Sequence, residues 1–339
     1  VKKPQSIPGV RSNSQQQRFR KSLLAWYDQH RRDLPWRTSH DPYRVWLSEI
    51  MLQQTRVSAV IDHYQEFLRR FPTVRNLAAA RESSVLAAWS GLGYYRRARM
   101  LHAAAKAVVR EYGGTFPTTA EGWRALPGIG RYTAAAIASI AFDEPVAVVD
   151  GNVERVLQRL SGKRLAGEEL WEAANHLLQV KRPGDFNQAM MELGALVCTP
   201  RAPGCLTCPV IELCATRGEL PATTKAPPQK KREIHYALNC RNGDVRGGDS
   251  HSSEVLLVKR SRDASLMPGM WELPELASVN RGGSSFTLRH SITVTDYTVR
   301  VWRGATTSGI AGRWIPTERL SHVALTGLAR KILRKAKML

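Results

Sequence analysis

Two carboxylates and four cysteines in this chain stand where chemistry can be done. Glu49 lies in the run from Tyr43 to Thr55, behind Asp41-Pro42, a cap residue followed by proline in the first helical turn. On that helix Val45, Trp46, Ile50 and Leu52 can face a core, which makes Glu49 an acid among large apolar neighbours. Burial disfavours the charged form and raises the pKa, the state a general acid needs; the competing reading is a Glu on a solvated helix face. Asp150 follows Val146-Ala147-Val148-Val149, and after it Val153, Val156, Leu157 and Leu160 recur at the helical period. Asp150 therefore sits at a helix N-cap, which by itself asks for nothing beyond capping. Cys198, Cys205, Cys208 and Cys214 form the pattern C-x6-C-x2-C-x5-C, and Cys240 stands apart. Four thiolates that close suit a tetrahedral metal or an iron–sulfur cluster, and the spacing does not separate zinc from iron.

These groups need elements to hold them. Leu126-Pro127-Gly128-Ile129-Gly130 is a tight turn between two helical patterns, and Gly128 and Gly130 allow positive φ and close backbone approach. An alanine-rich helix starts near Arg131, and its first amides carry the positive end of its dipole. A glycine turn feeding such a terminus can grip a phosphate; the alternative is an ordinary helical corner. Gln54 lies one turn beyond Glu49, near the same side. Gly91 to Arg97 is a glycine-punctuated turn with two aromatics and two arginines. Such a group can wedge into base stacks and hold phosphates, or Tyr94 can simply pack at a helix start.

Further helices are expected at 15–30, 58–71, 83–90, 98–112, 168–180 and 186–197, so residues 1–219 read as all-helical. Residues 220–233 are rich in proline and lysine and read as a linker. Residues 234–339 carry short β-like runs at 234–239, 254–259, 285–290, 297–302 and 312–315, then a helix at 324–336, an α+β module. The formal net charge of +21 points to a polyanionic partner, with DNA or RNA the default. No apolar run approaches the ~20 residues that span a bilayer, so no membrane association is expected. The polar start VKKPQSIPGV reads as a basic lead-in rather than a signal peptide, and without one a disulfide set is not expected.

LPGIGRYTA followed by VVDGNVERV resembles the helix–hairpin–helix and Asp of DNA glycosylases in the endonuclease III superfamily, and the cysteine spacing is similar to that group's 4Fe–4S ligand pattern. WLSEIMLQQT, GLGYYRRARML and FNQAMMELGALVC narrow the resemblance to adenine DNA glycosylases of the MutY family. It covers roughly Phe19 to Glu219. More weakly, Glu254 to Arg260 and Leu266 to Pro274 resemble that family's Nudix-like domain. The implied architecture is a helical glycosylase domain over 1–219, with the helix–hairpin–helix near 124–140 and the iron–sulfur loop at 198–214, then the linker, then a Nudix-like lesion-recognition domain.

The resemblance implies a monofunctional enzyme that removes adenine opposite 8-oxoguanine or guanine in duplex DNA, with the adenine flipped out of the stack. Glu49 matches the catalytic acid, which protonates adenine at N7 and later activates water. Asp150 matches the second carboxylate, kept ionised at its helix terminus to stabilise an oxocarbenium-like sugar; two carboxylates with opposed pKa demands are the general logic of glycoside cleavage. Tyr132 matches a position that assists around Asp150, and Asn152 one that orients the site. Gln54 and Tyr94 match residues that enter the stack beside the lesion, and Arg37 lies in the adenine-pocket region. Cys198, Cys205, Cys208 and Cys214 match the ligands of a structural 4Fe–4S cluster, with Arg201 presented to phosphate. A monomer acting in the cytoplasm, on the nucleoid in a bacterium, is expected.

Two departures from the family matter. Bifunctional relatives have a Lys where this chain has Tyr132, so strand nicking should be absent or weak, which argues against a pyrimidine-directed glycosylase/AP lyase of the endonuclease III type. A non-catalytic DNA-binding scaffold is opposed by the joint presence of Glu49 and Asp150. The family's Phe-Ser-His reading loop, aligned on His290, becomes Ile292-Thr293-Val294, which keeps a hydroxyl in Thr293 and lacks the histidine; Ser291 is the alternative donor. The Nudix hydrolase signature is missing, and Glu272 and Glu275 alone cannot hold a catalytic metal, so the module should read rather than hydrolyse.

Overall fold

The computed structural model describes residues 7, 10, 12–221, 230–242, 253–264, 266–277, 285–292, 295–307 and 309–339. Its helices are α1 (Asn13–His30), α2 (Pro42–Leu52), α3 (Val57–Arg70), α4 (Val74–Ala79), α5 (Glu82–Ala88), α6 (Arg96–Glu111), α7 (Ala120–Arg124), α8 (Arg131–Phe142), α9 (Gly151–Ser161), α10 (Glu168–Leu177), α11 (Pro183–Leu196) and α12 (Gly327–Lys335). Its strands are β1 (Lys230–Leu238), β2 (Cys240–Asn242), β3 (Ser253–Lys259), β4 (Trp271–Glu272), β5 (Phe286–Ile292), β6 (Thr295–Arg303) and β7 (Arg313–Pro316). The chain divides into two compact units, one of Val1–Tyr64, Thr73–Arg75 and Ala103–Thr224, the other of Gln65–Pro72, Asn76–His102 and Lys225–Leu339. The division passes through α3 and α6.

In the first unit local chemistry sets the helix starts. Ser12 and Gln15 form a reciprocal capping box on α1, the Asp41 carboxylate accepts from the Arg44 amide at the start of α2, and Thr119 caps α7. The core of α1, α9, α10 and α11 joins Phe19, Leu23, Tyr27, Leu157, Leu177, Phe186 and Met190. Trp46 of α2 packs against Phe116 and Trp123. Helix α11 approaches its neighbours closely at two glycines. A Cβ on Gly184 would stand 2.6 Å from the Ser139 carbonyl oxygen of α8, and one on Gly194 would stand 2.6 Å from Asn152 Cβ of α9. Only hydrogen fits at either point. The six-residue α4 was not foreseen, being too short to show a helical period.

In the second unit one sheet has the order β1-β6-β5, with β1 parallel to β6 and β6 antiparallel to β5. The other joins β2, β3 and β4, and β7 also pairs with β3. Tyr236, Val255, Leu257, Val299 and Val301 meet Leu328, Ile332 and Leu333 of α12 in one core. Lys230-Lys231-Arg232, read from the sequence as linker, belong to β1 and pair with Thr295 to Tyr297. They are exposed on an edge strand, where lysine is tolerated and discourages further pairing.

Candidate active site

In the first unit a cavity of about 740 Å³ is lined by Arg37, Glu49, Gln54, Gly130, Tyr132, Asp150, Asn152 and Glu192, among others. Helix α2 supplies Glu49. From Val45 to Met51 every residue of this helix is buried, so Glu49 is only 6% exposed. Burial pushes its pKa up to about 7, and the charge of Asp150 adds to the rise. The Tyr132 hydroxyl, which donates to Glu49 Oε2 at 2.6 Å, and the Arg37 cation oppose it. Tyr132 is the second residue of α8, whose N-cap is Gly130. Gly130 has φ −87°, which any residue adopts, whereas Gly128 has φ 74° and needs its missing side chain.

Asp150 caps α9 as the sequence foretold. Its Oδ1 accepts from the backbone amides of Asn152 (2.9 Å) and Val153 (2.7 Å), and its Oδ2 from Asn152 Nδ2 (3.0 Å). Burial is the largest influence on Asp150 and raises its pKa above the usual carboxylate value, against these hydrogen bonds and Arg155, which lower it. Burial depends on what packs over the cap, which the helix pattern does not reveal. Gln54 adopts φ 55°, a left-handed conformation that carries strain in a non-glycine residue.

Glu192 was missed as a site residue. It is 1% exposed, yet it receives both Arg32 and Arg37. Arg32 donates to Oε1 and Oε2 at 2.9 and 2.6 Å, and Arg37 to the same oxygens at 3.0 Å each. Burial raises its pKa, but the two guanidiniums outweigh burial and hold it at about 2. The signal was an acid set among Met190, Met191 and Leu193, the same argument that singled out Glu49. Arg37 thus lies in the cavity with its cation committed to a carboxylate.

Tyr94 belongs to the second unit. It is 52% exposed, has φ 47°, and lines a cavity of about 690 Å³ with Arg96, Leu266, His290, Ser291, Arg330 and Lys331. Ser291 therefore stands with Tyr94, and its hydroxyl donates to Asp296 Oδ1. Thr293 lies outside the described residues. His290 lines this cavity beside Ser291.

The four cysteines sit on a loop after α11. Two short 3₁₀ turns, Cys205–Thr207 and Ile211–Leu213, end on Cys208 and Cys214. Cys198, Cys208 and Cys214 pack against the first unit's core, and the Arg159 guanidinium donates to Cys198 Sγ at 3.4 Å. Burial, then the neighbouring thiolates, push the Cys208 thiol up to about 11. Among the described residues no group of His, Cys, Asp or Glu converges on a single ion. The donor chemistry nonetheless fits a cationic iron–sulfur group: four clustered cysteine sulfurs, no imidazole or carboxylate among them, and a guanidinium beside them. Arg201, on the same loop, is exposed.

Comparison with known proteins adds three findings. Residues 47–178 match the model of the HhH-GPD superfamily base excision DNA repair protein. The adenine DNA glycosylase of Mus musculus is 50% identical over 317 residues, covering 76% of this chain and 60% of its own length, and that of Homo sapiens is 51% identical over 214 residues, covering 59% and 39%. The chain thus spans less than two thirds of the length of these relatives. A solved thermostable thymine-DNA glycosylase is 32% identical with a TM-score of 0.57, covering 60% of this chain and 97% of its own.

Proposed function

Because this chain belongs to the HhH-GPD superfamily of base excision DNA repair proteins, on its MutY-type adenine DNA glycosylase branch, we propose that it hydrolyses the N-glycosidic bond of adenine mispaired with 8-oxoguanine or guanine in duplex DNA. The observation that carries this reading is the pair Glu49 and Asp150 in one cavity, one acid held half-protonated near neutrality and the other fixed by a helix cap. Stacking hides the bond, so the adenine must be flipped out. Glu49 then donates its proton to adenine N7, which makes the base a better leaving group. Tyr132 holds the Glu49 carboxylate in place as the proton leaves. Asp150, ionised and oriented by Asn152, balances the cationic sugar, and Glu49, now a base, activates the attacking water. Glu192, its oxygens taken up by Arg32 and Arg37, fixes the Arg37 guanidinium at the adenine pocket, while Gln54 fills the stack.

Cys198, Cys205, Cys208 and Cys214 would hold a 4Fe–4S cluster, which supplies a structural anchor and leaves Arg201 exposed for phosphate. Gly128 and Gly130 present the α8 amides to the backbone. Residues 234–339 form a Nudix-like module that reads the base opposite adenine; Ser291, with Tyr94 and His290 in one cavity, supports that reading. The protein acts as a monomer on double-stranded DNA.

Incubation with a duplex containing A opposite 8-oxoguanine tests this. Strand breakage only after alkali is the expected outcome. Immediate nicking would favour a glycosylase/lyase, and no reaction a DNA-binding scaffold.

A further inference from the structure

Tyr94 sits on a turn that has no regular secondary structure to hold it. Gly91, Gly93 and Tyr94 have φ of 114°, 69° and 47°, three left-handed conformations within four residues. Glycine takes these freely, and tyrosine does not, so something must over-determine the backbone there. The contacts converge on Arg97, the second residue of α6. Its amide donates to the Tyr94 carbonyl at 2.9 Å. Its Nη2 donates to the carbonyls of Leu92 at 3.0 Å and Gly93 at 3.3 Å. Its guanidinium lies 5.4 Å from the centre of the Trp89 ring and 5.7 Å from that of Tyr94. Trp89 is fully buried and donates its indole N–H to the same Gly93 carbonyl at 3.2 Å. The Arg97 cation is thus folded inward onto carbonyls and ring faces rather than turned out toward phosphate, and burial lowers its pKa to about 10.

We propose that Arg97 is a positioning residue that locks the 91–94 turn on Trp89 and so presents the Tyr94 ring as a pre-formed wedge for the base stack. The inference rests on the stacking role of Tyr94 proposed above. A wedge already set in the free protein does not have to be ordered on binding, so its stacking is realised as affinity. A lysine cannot replace Arg97, because an ammonium lacks the planar fork that reaches two carbonyls while stacking on a ring.

A double-mutant cycle with Tyr94→Ala and Arg97→Met, read as affinity for a duplex carrying A:8-oxoguanine, tests the proposal. Tyr94→Ala is expected to weaken binding about tenfold, as removal of one base–aromatic stack does. Arg97→Met and Arg97→Lys should each lose most of that factor in the wild-type background and less than about twofold in the Tyr94→Ala background. In DNA-free protein, hydrogen exchange of the amides of residues 92–94 should quicken in Arg97→Met while the α6 amides stay protected. Losses that multiply in the double variant would mean that Arg97 contacts phosphate directly, and would overturn the proposal. Unchanged exchange in the turn would overturn it while leaving the role of Tyr94 intact. No effect of Tyr94→Ala, with exchange quickened in Arg97→Met, would overturn the stacking role and the proposal together.

Discussion

If Glu49 delivers the proton, single-turnover adenine release should follow its protonated form. With a midpoint of about 7, the protonated fraction is roughly nine-tenths at pH 6 and one-tenth at pH 8, so the rate should fall about tenfold between them. Tyr132→Phe sharpens the test. The Tyr132 hydroxyl donates to the Glu49 carboxylate and is the largest influence opposing burial. A hydrogen bond to a charged group contributes ~1.5–3 kcal/mol, which at ~1.36 kcal/mol per pH unit moves the midpoint upward by about one to two units when it is removed. Glu49→Gln cannot deliver a proton and should lose the limb together with ~100- to 10,000-fold in rate. Stability should change in the opposite sense. A carboxyl whose folded pKa is raised from 4.5 to about 7 contributes stability that is full below pH 4.5 and is lost as pH rises to 7. Glu49→Gln should therefore be more stable to unfolding than the wild type at pH 8, by on the order of 3 kcal/mol, with the gap closing near pH 4. The assay is rapid-quench base release from pH 6 to 8.5, developed by alkali. A flat profile, or a midpoint that moves downward in Tyr132→Phe, would refute the assignment.

Asp150→Asn should still fold, since the amide oxygen can cap α9, but should be nearly inactive because a neutral side chain cannot balance a cationic sugar; base release close to wild type would count against it. Gly194→Ala forces a Cβ within 2.6 Å of Asn152 Cβ and 3.0 Å of its carbonyl oxygen, and should cost ~1–3 kcal/mol in denaturant unfolding with a larger proportional loss of excision. DNA affinity should fall steeply as salt rises through the physiological range, as phosphate contacts by basic residues require. Iron and sulfide should be found at cluster stoichiometry, with thiolate–iron absorption in the visible; stoichiometric zinc would refute the cluster.

What was legible in the sequence was local. Asp41-Pro42 announced α2, the spacing of Val153, Val156, Leu157 and Leu160 placed Asp150 at a cap, and the apolar neighbours of Glu49 foretold its burial and raised pKa. What was not legible depended on partners far away in the chain. Glu192 needs Arg32 and Arg37, more than 150 residues before it, to become an ionised buried carboxylate. The strand character of Lys230 to Arg232 comes from β6, some 65 residues later, without which these residues are only polar and proline-flanked. The balance at Asp150 turned on how deeply the cap is covered, a property of the packed unit and not of α9.

The two close approaches of α11 have a mechanical meaning for α8 and α9. Gly184 is seated on α8 near Ser139 and Gly194 on α9 at Asn152, so one rigid rod touches both helices with no side chain of its own to act as a bearing. Helices separated by side chains can slide by rotamer changes; backbones in direct contact cannot. The two helices are therefore denied the scissoring motion that would let the Gly128 turn and the Asp150 cap move apart. Their spacing is fixed when the chain folds, and the entropy of aligning a phosphate-gripping turn with a catalytic carboxylate is spent before any DNA arrives. Association should then leave the exchange protection of α8 and α9 almost unchanged.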